Sequence, residues 1–346
     1  MVRRRRYSPK RKSSGFVGFL RALILLALCG GAAAAWFIYL PFGPSSETFV
    51  EIAPGLSTPA IGQQLESAGI IRSRYAFDLM RLWKRGTLRA GEYRFDHAAT
   101  VPEVYTRITR GDVYTIAVTI PEGASIFEIA GRLEQAGFGP REQFLNAAVE
   151  QKALIADLDP KAPSLEGYLF PDTYHFARKF SPAQICATMV RRFRTIATQI
   201  GLKGNMHQVV TMASLVERET AVDEERPMVA SVFENRLARK MPLMTDPSVI
   251  YGLELEGRWR GAIYASDLKL NTPYNTYMHT GLPPGPVANP GLRSLRAAME
   301  PAKSNYLYFV AAGADPQGHS RFASSLEEHA KNVADYRHAV KKAGGR

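Results

Sequence analysis

Cysteine is nearly absent from this chain. Cys29 and Cys186 are the only two in 346 residues, and the first lies in an apolar run. No disulfide framework can therefore hold the exported part together, and no CxxC pair offers a zinc site. There is also no G-x-S-x-G elbow, no H-E-x-x-H, no P-loop and no G-x-G-x-x-G fingerprint. The seven histidines lack metal-ligand spacing, so no metal and no cofactor is expected. Carboxylates remain, set among aromatic, amide and hydroxyl residues, which is the usual equipment of enzymes that break sugar bonds.

Charge is plentiful but localised. Of a formal net charge of +12, seven positive charges come from Arg3, Arg4, Arg5, Arg6, Lys10, Arg11 and Lys12. The rest is only mildly basic, so no nucleic-acid partner is implied. Phe16 to Leu40 then carries a single charge, Arg21. As a helix this segment is roughly 37 Å long, enough to cross a bilayer core. Trp36 and Tyr39 sit at its distal end as an interfacial belt, and Pro41 and Gly43 stop it. The positive-inside rule then predicts a cytoplasmic N-terminus and an exported remainder. The segment exceeds a signal peptide's apolar core, which favours an uncleaved anchor over a leader cut near Ala32 to Ala35.

An internal repeat organises the first half of the exported part. Val50-x-Ile52-x-x-Gly55 recurs as Val118-x-Ile120-x-x-Gly123, and Ile61, Leu65, Ala68-Gly69 recur as Ile129, Leu133, Ala136-Gly137, each pair 68 residues apart. Each copy reads strand, helix, helix, strand. The closing strands are expected at 91–95 and 167–170, and the unit resembles the LysM module, a glycan-binding fold. Beyond residue 181 the pattern gives helices near 207–221 and 226–240, then Pro, Gly, Asn and Thr texture from 241 to 290 that predicts long ordered loops. A strand near 306–310 and a last helix complete an α+β chain. The expected divisions are a basic tail (1–15), a transmembrane helix (16–40), two LysM-like βααβ units (46–115 and 116–180) and a mixed α/β catalytic domain (181–346).

The segment Val209 to Thr220 is the most informative. Val209, Met212, Ala213, Val216 and Thr220 form one stripe at 100° per residue, flanked at equal angles by Glu217 and Glu219. Either carboxylate can be desolvated enough to serve as a general acid, and periodicity does not choose between them. The ordinary alternative is a helix edge pairing with Arg218 or Arg226. Downstream, Thr245-Asp246-Pro247, Tyr274-Asn275-Thr276-Tyr277, Gly281-Leu282-Pro283-Pro284-Gly285-Pro286 and Asn289-Pro290-Gly291 cluster as a groove would, with aromatic faces for sugar rings and amides for their substituents.

The stretches SLVERET, ASVFENRL, TDPSVIYG, NTPYNTYMHTGLPPGPVANPG, YLYFV and LEGYLFPDTY closely resemble the endolytic murein transglycosylases of the MltG (YceG-like) family. The resemblance implies an inner-membrane, single-pass enzyme with a LysM-like subdomain, its catalytic part periplasmic, that cleaves nascent peptidoglycan glycan strands with peptidoglycan synthases as partners. It implies Glu217 as the catalytic acid, and Glu219, Asp246, Tyr274, Asn275, Thr276, Tyr277 and Glu166 as groove or supporting residues. Met244 departs from the polar residue common there, and the charges of Arg258 and Arg260 look local to this chain. The expected chemistry is cleavage of the bond between N-acetylmuramic acid and N-acetylglucosamine with a 1,6-anhydro product. The competing readings are a non-catalytic wall-binding scaffold and a hydrolytic muramidase using a second carboxylate.

Overall fold

The structure, a computed structural model, describes residues 14–313 and 318–344; the basic cluster from Arg3 to Lys12 lies outside them. The chain divides into two units, Met1–Thr115 and Ile116–Arg346.

In the first unit, helix α1 (Ser14–Tyr39) presents an apolar surface on every side, and its Phe16–Tyr39 portion is long and apolar enough to cross a membrane. Strand β1 (Thr48–Ile52), helices α2 (Thr58–Ser67) and α3 (Arg74–Lys84), and strand β2 (Gly91–Phe95) follow, with β1 antiparallel to β2. This is the βααβ order that the repeat predicts. Helix α4 (Val101–Arg110) was not foreseen, although its start is written in the sequence: Thr100 and Glu103 form a reciprocal capping box, with Pro102 in the first turn. Leu65, Phe77, Met80, Tyr93, Tyr105 and Ile108 make the core of this unit, each 1% exposed or less.

The second unit opens with the other copy: β3 (Thr115–Thr119), α5 (Ile126–Gln135), α6 (Arg141–Glu150) and β4 (Thr173–Ala177), with β3 beside β4. The repeat extends to backbone conformation. Gly55 and Gly123, like Gly69 and Gly137, all have positive φ, which a residue with a Cβ adopts only at a cost. The closing strand is not at 167–170 as expected. Gly167 has φ 88°, and the N–H groups of Gly167 and Leu169 are both taken by the Asn289 side chain, so no strand ladder can form there. The alternating Tyr174 and Phe176 supply the strand instead.

Helices α7 (Pro182–Gln199), α8 (Met206–Glu219), α9 (Arg226–Ala238), α10 (Asp246–Leu255) and α11 (Leu292–Met299) complete the interior, followed by the hairpin β5 (Tyr308–Ala311) and β6 (Ser320–Ala323) and by α12 (Leu326–Gly344). Helix α10 corrects the expectation of continuous loop from 241 to 290. Pro247 sits in its first turn and Asp246 at its positive end, while Val249, Tyr251 and Leu253 bury its apolar side. The ordered irregular stretch is 256–291, interrupted by a short 3₁₀ turn at Asp267–Lys269.

Asn289 ties this unit together and is fully buried. Its Oδ1 accepts from Gly167 N–H and Leu169 N–H, both at 2.9 Å, and its Nδ2 donates to Ala124 O at 2.9 Å and Glu166 Oε1 at 2.6 Å. Every hydrogen-bonding position of the amide is thus used. Asn289→Ala leaves two N–H groups unsatisfied and takes one donor from the Glu166 carboxyl group, and is expected to cost about 3–5 kcal/mol. Thermal unfolding followed by circular dichroism should show a drop in Tm of roughly 10 °C; an unchanged Tm would remove Asn289 from this role.

Candidate active site

Helix α8 runs between two apolar clusters. Val210 and Ala213 pack with Tyr168 and Phe193 on one side, while Met212, Leu215 and Val216 pack with Val229, Phe233 and Tyr251 on the other. All seven residues from Val210 to Val216 are buried, so the helix exposes polar side chains only in its first and last turns.

There the two candidate carboxylates part company. The Glu217 side chain is 4% exposed, and its Oε2 accepts from the Arg226 guanidinium at 2.8 Å and from the Gly291 N–H at 2.8 Å. Arg226 is itself buried, donates to Ser294 Oγ at 2.7 Å and pairs with Asp223 at 3.2 Å. The partner anticipated for an ordinary helix edge, Arg226, is therefore present, but inside the protein rather than at its surface. Glu122, half-exposed in the loop after β3, lies 3.9 Å from Arg226, and burial together with the Glu217 charge raises its pKa. Between the two glutamates, Arg218 donates to Gly123 O at 3.0 Å.

Glu219 reaches the other side. It lines a cleft of about 500 Å³ with Arg236, Met244, Asp246, Tyr277, Tyr308 and His329, within the size range of small-molecule sites. Burial, and then the negative charge of Asp246, push the Glu219 carboxyl up to about 7, with Arg236 pulling the other way. Its place at the negative end of the α8 dipole acts in the same direction as burial. Tyr277 Oη donates to Asp246 Oδ1 at 2.6 Å, and burial and this bond raise the tyrosine pKa. Met244 sits on the cleft wall, half-exposed, in the left-handed region at φ 53°, a conformation that costs a non-glycine residue free energy and is held here by its N–H bond to Thr276 O at 3.1 Å.

The remaining anticipated residues are buried and do not line the cleft. Asn275 Nδ2 donates to Leu268 O at 3.0 Å and Leu270 O at 2.7 Å, and its Oδ1 accepts from Tyr277 N–H at 2.9 Å, which orients that tyrosine. Thr276 Oγ1 accepts from Thr245 N–H at 2.9 Å and lies 2.8 Å from Ser248 Oγ. Tyr274 packs its ring 5.0 Å from that of Tyr251. Glu166, 2% exposed, accepts from Ile126 N–H at 2.8 Å and from Asn289, and burial raises its carboxyl to about 8 against the pull of these donors. It belongs to the interior network rather than to the cleft. Arg258 and Arg260 stay local: Arg260 grips Asp267 at 2.8 Å, and Arg258 pairs with Glu256 at 2.9 Å.

Three cleft residues were not foreseen: Arg236, Tyr308 and His329. Arg236 donates from Nε to Leu307 O and from a terminal nitrogen to Leu243 O, both at 2.7 Å, so its position is fixed by backbone carbonyls. The His329 ring stacks on Tyr308, with centroids 5.1 Å apart, and burial followed by the Arg236 charge lowers its pKa. The last helix thus brings an imidazole to a site otherwise made from α8, α9, α10, β5 and the irregular segments around Met244 and Tyr277, a juxtaposition that local pattern does not encode.

The sequence profile of the YceG-like family matches residues 50–335. A protein of Bacillus subtilis named endolytic murein transglycosylase is 33% identical over 309 residues, covering 83% of this chain and 84% of its own length. A protein of the same name from Streptococcus pneumoniae is 29% identical over 358 residues, covering 92% of this chain and 64% of its own length. The crystal structure of a YceG-like protein from Listeria monocytogenes superposes with a TM-score of 0.54 at 32% identity, covering 83% of this chain and 99% of that one.

The Glu219 environment has a sign that can be measured. Its carboxyl titrates at about 7 when folded against 4.5 ordinarily, so between these values the native state holds a proton that the unfolded chain releases. Stability from this group is therefore complete at low pH and is lost as pH rises through 7. Glu219→Gln removes the effect. The Tm of the variant should gain on the wild type between pH 5 and pH 8 by the equivalent of about 1–3 kcal/mol, and a pH-independent difference would contradict the assigned environment.

Proposed function

The chain belongs to the YceG-like family, and from that premise we propose that it is a membrane-anchored peptidoglycan lytic transglycosylase whose proton donor is Glu219. The resemblance in sequence assigned the acid to Glu217. The reading offered here moves it two residues along, because Glu217 is committed to Arg226 and Gly291 whereas Glu219 lines an open cleft with its pKa near neutrality. That contrast carries the proposal. A general acid must hold a proton at working pH and still release it.

In the proposed reaction, protonated Glu219 donates to the glycosidic oxygen between N-acetylmuramic acid and N-acetylglucosamine as that bond breaks. Positive charge develops at the muramyl C1. The glutamate, now a carboxylate, takes the proton from the muramyl C6 hydroxyl, whose oxygen closes on C1 to give the 1,6-anhydro ring, so no water is consumed. Asp246, held by Tyr277 at 2.6 Å, supplies negative charge beside the developing cation. Arg236, Tyr308 and His329 line the wall against which the sugar is oriented, and orientation is the larger part of the advantage in an intramolecular attack. Glu217, through Arg226 and Gly291, fixes the end of α8 and with it the position of Glu219.

The same reading makes α1 an uncleaved anchor in the inner membrane with the rest of the chain periplasmic, where nascent glycan strands and peptidoglycan synthases lie. The first βααβ unit is proposed as a LysM-like glycan grip. Its surface depression of about 590 Å³ between β1 and α2, bordered by Phe49, Gln63 and Gln64, offers a ring face and two amides.

Purified wild type and variants should be incubated with isolated sacculi and the products resolved by mass spectrometry. Glu219→Gln is expected to lower the release of anhydro-ended fragments by about 10²–10⁴-fold while remaining folded. Glu217→Gln is expected to lose thermal stability first. A fully active Glu219→Gln protein would overturn the assignment, and products one water heavier would replace the transglycosylase with a muramidase.

A further inference from the structure

Helix α3 carries an uncovered apolar stripe beside the point where the chain leaves α1. Tyr75, Leu79, Leu82 and Trp83 are 68%, 51%, 72% and 69% exposed. Their spacing of i, i+4, i+7 and i+8 puts all four on one side of the helix, while Ala76, Phe77 and Met80 face the core of the unit. The helix and its flanks carry Arg72, Arg74, Arg81, Lys84 and Arg85 against the single acid Asp78.

The start of α3 is pinned to the end of α1. Arg72 donates to Leu40 O at 3.1 Å and Pro41 O at 3.3 Å, and its guanidinium lies 4.4 Å from the centre of the Trp36 ring. Phe42 and Ala99 exchange backbone hydrogen bonds at 3.0 and 2.9 Å, and Ile38 is buried in the core of the unit. The exit of the span is thus part of the folded unit, and α3 begins within hydrogen-bonding distance of it.

We propose that α3 is a second membrane contact, lying in the headgroup region of an anionic bilayer with Trp83, Leu79 and Leu82 among the upper acyl chains. The inference rests on reading α1 as a membrane span. An exposed apolar stripe on a helix of net basic charge is the pattern of an interfacial helix, and a tryptophan and long basic side chains are the residues that settle at that depth. One span leaves a domain free to rotate and tilt about the membrane normal. A second contact from α3 removes that freedom and sets the orientation of the first unit on the surface.

The full chain contains three tryptophans, Trp36, Trp83 and Trp259. Two single-tryptophan versions, one keeping Trp83 and one keeping Trp36, with phenylalanine at the other positions, should be reconstituted into phosphatidylethanolamine–phosphatidylglycerol vesicles with and without lipid brominated at the 6,7 positions. The expected result is at least a twofold loss of Trp83 emission with brominated lipid, abolished by L79E/L82E while Trp36 remains quenched. Quenching of Trp36 without quenching of Trp83 overturns the α3 contact. So does a Trp83 that is shielded from acrylamide yet unquenched by lipid, which would mean that a protein covers the stripe. Absence of quenching for both overturns the span itself.

Discussion

The second unit depends on a single buried amide. Asn289 joins three segments far apart in sequence, namely the loop around Ala124, the turn of Glu166 to Leu169, and its own stretch ahead of α11. Inside a protein, an amide with all its hydrogen bonds made is worth far more than one left partly unpaired, because the low dielectric magnifies both outcomes. Gly123, whose N–H bonds Asn289 O at 2.9 Å, and Gly291, two residues on, are set by this junction. Those two glycines border Glu217: one lies where a Cβ would touch the Glu217 side chain, and the other donates its N–H to the carboxylate. The end of α8 is seated in the frame that this junction holds.

On that frame, one helical turn gives two carboxyl groups opposite surroundings. Glu217 meets a buried guanidinium and a backbone N–H, both of which donate to one carboxylate oxygen. Glu219 meets burial in the cleft wall, a neighbouring carboxylate and the carbonyl end of its own helix, which favour keeping a proton against the pull of Arg236. Chemically identical groups two residues apart are thereby separated into a packed anchor and a cleft-lining group. The separation arises from Arg226, Asp246 and Gly291, which come from three other parts of the chain.

That origin explains what could be read in advance. The 68-residue repeat fixed both βααβ units because helix periodicity and glycine turns are local properties, and the paired glycines indeed share their left-handed conformation. Periodicity marks one apolar stripe on α8, whereas the helix is enclosed on all sides from Val210 to Val216, Thr211, Ser214 and Leu215 included. The closing strand of the second copy was misplaced because the aromatic run at 167–170 looks extended until Asn289, some 120 residues away, claims its amides. Helix α10 was hidden by the loop-like composition around it, although Pro247 after Thr245 marked its start. Among the site residues, Asp246 and Tyr277 come to the cleft, whereas Asn275 and Thr276 spend their hydrogen bonds on backbone and neighbouring hydroxyl groups. A motif identifies that group of residues without saying which of them faces inward. His329 and Arg236 left no local trace, since their role exists only once α12 and α9 meet around Tyr308.

The junction between α1 and the first unit has a mechanical meaning. Many anchored domains hang from a stretch of glycine, serine or proline long enough to swing. Here the residues that follow α1 are already paired with the domain, Phe42 to Ala99 and the Leu40 and Pro41 carbonyls to Arg72, so no slack separates them. Force or rotation applied to α1 passes directly into the folded body, which makes the helix a rigid handle rather than a leash.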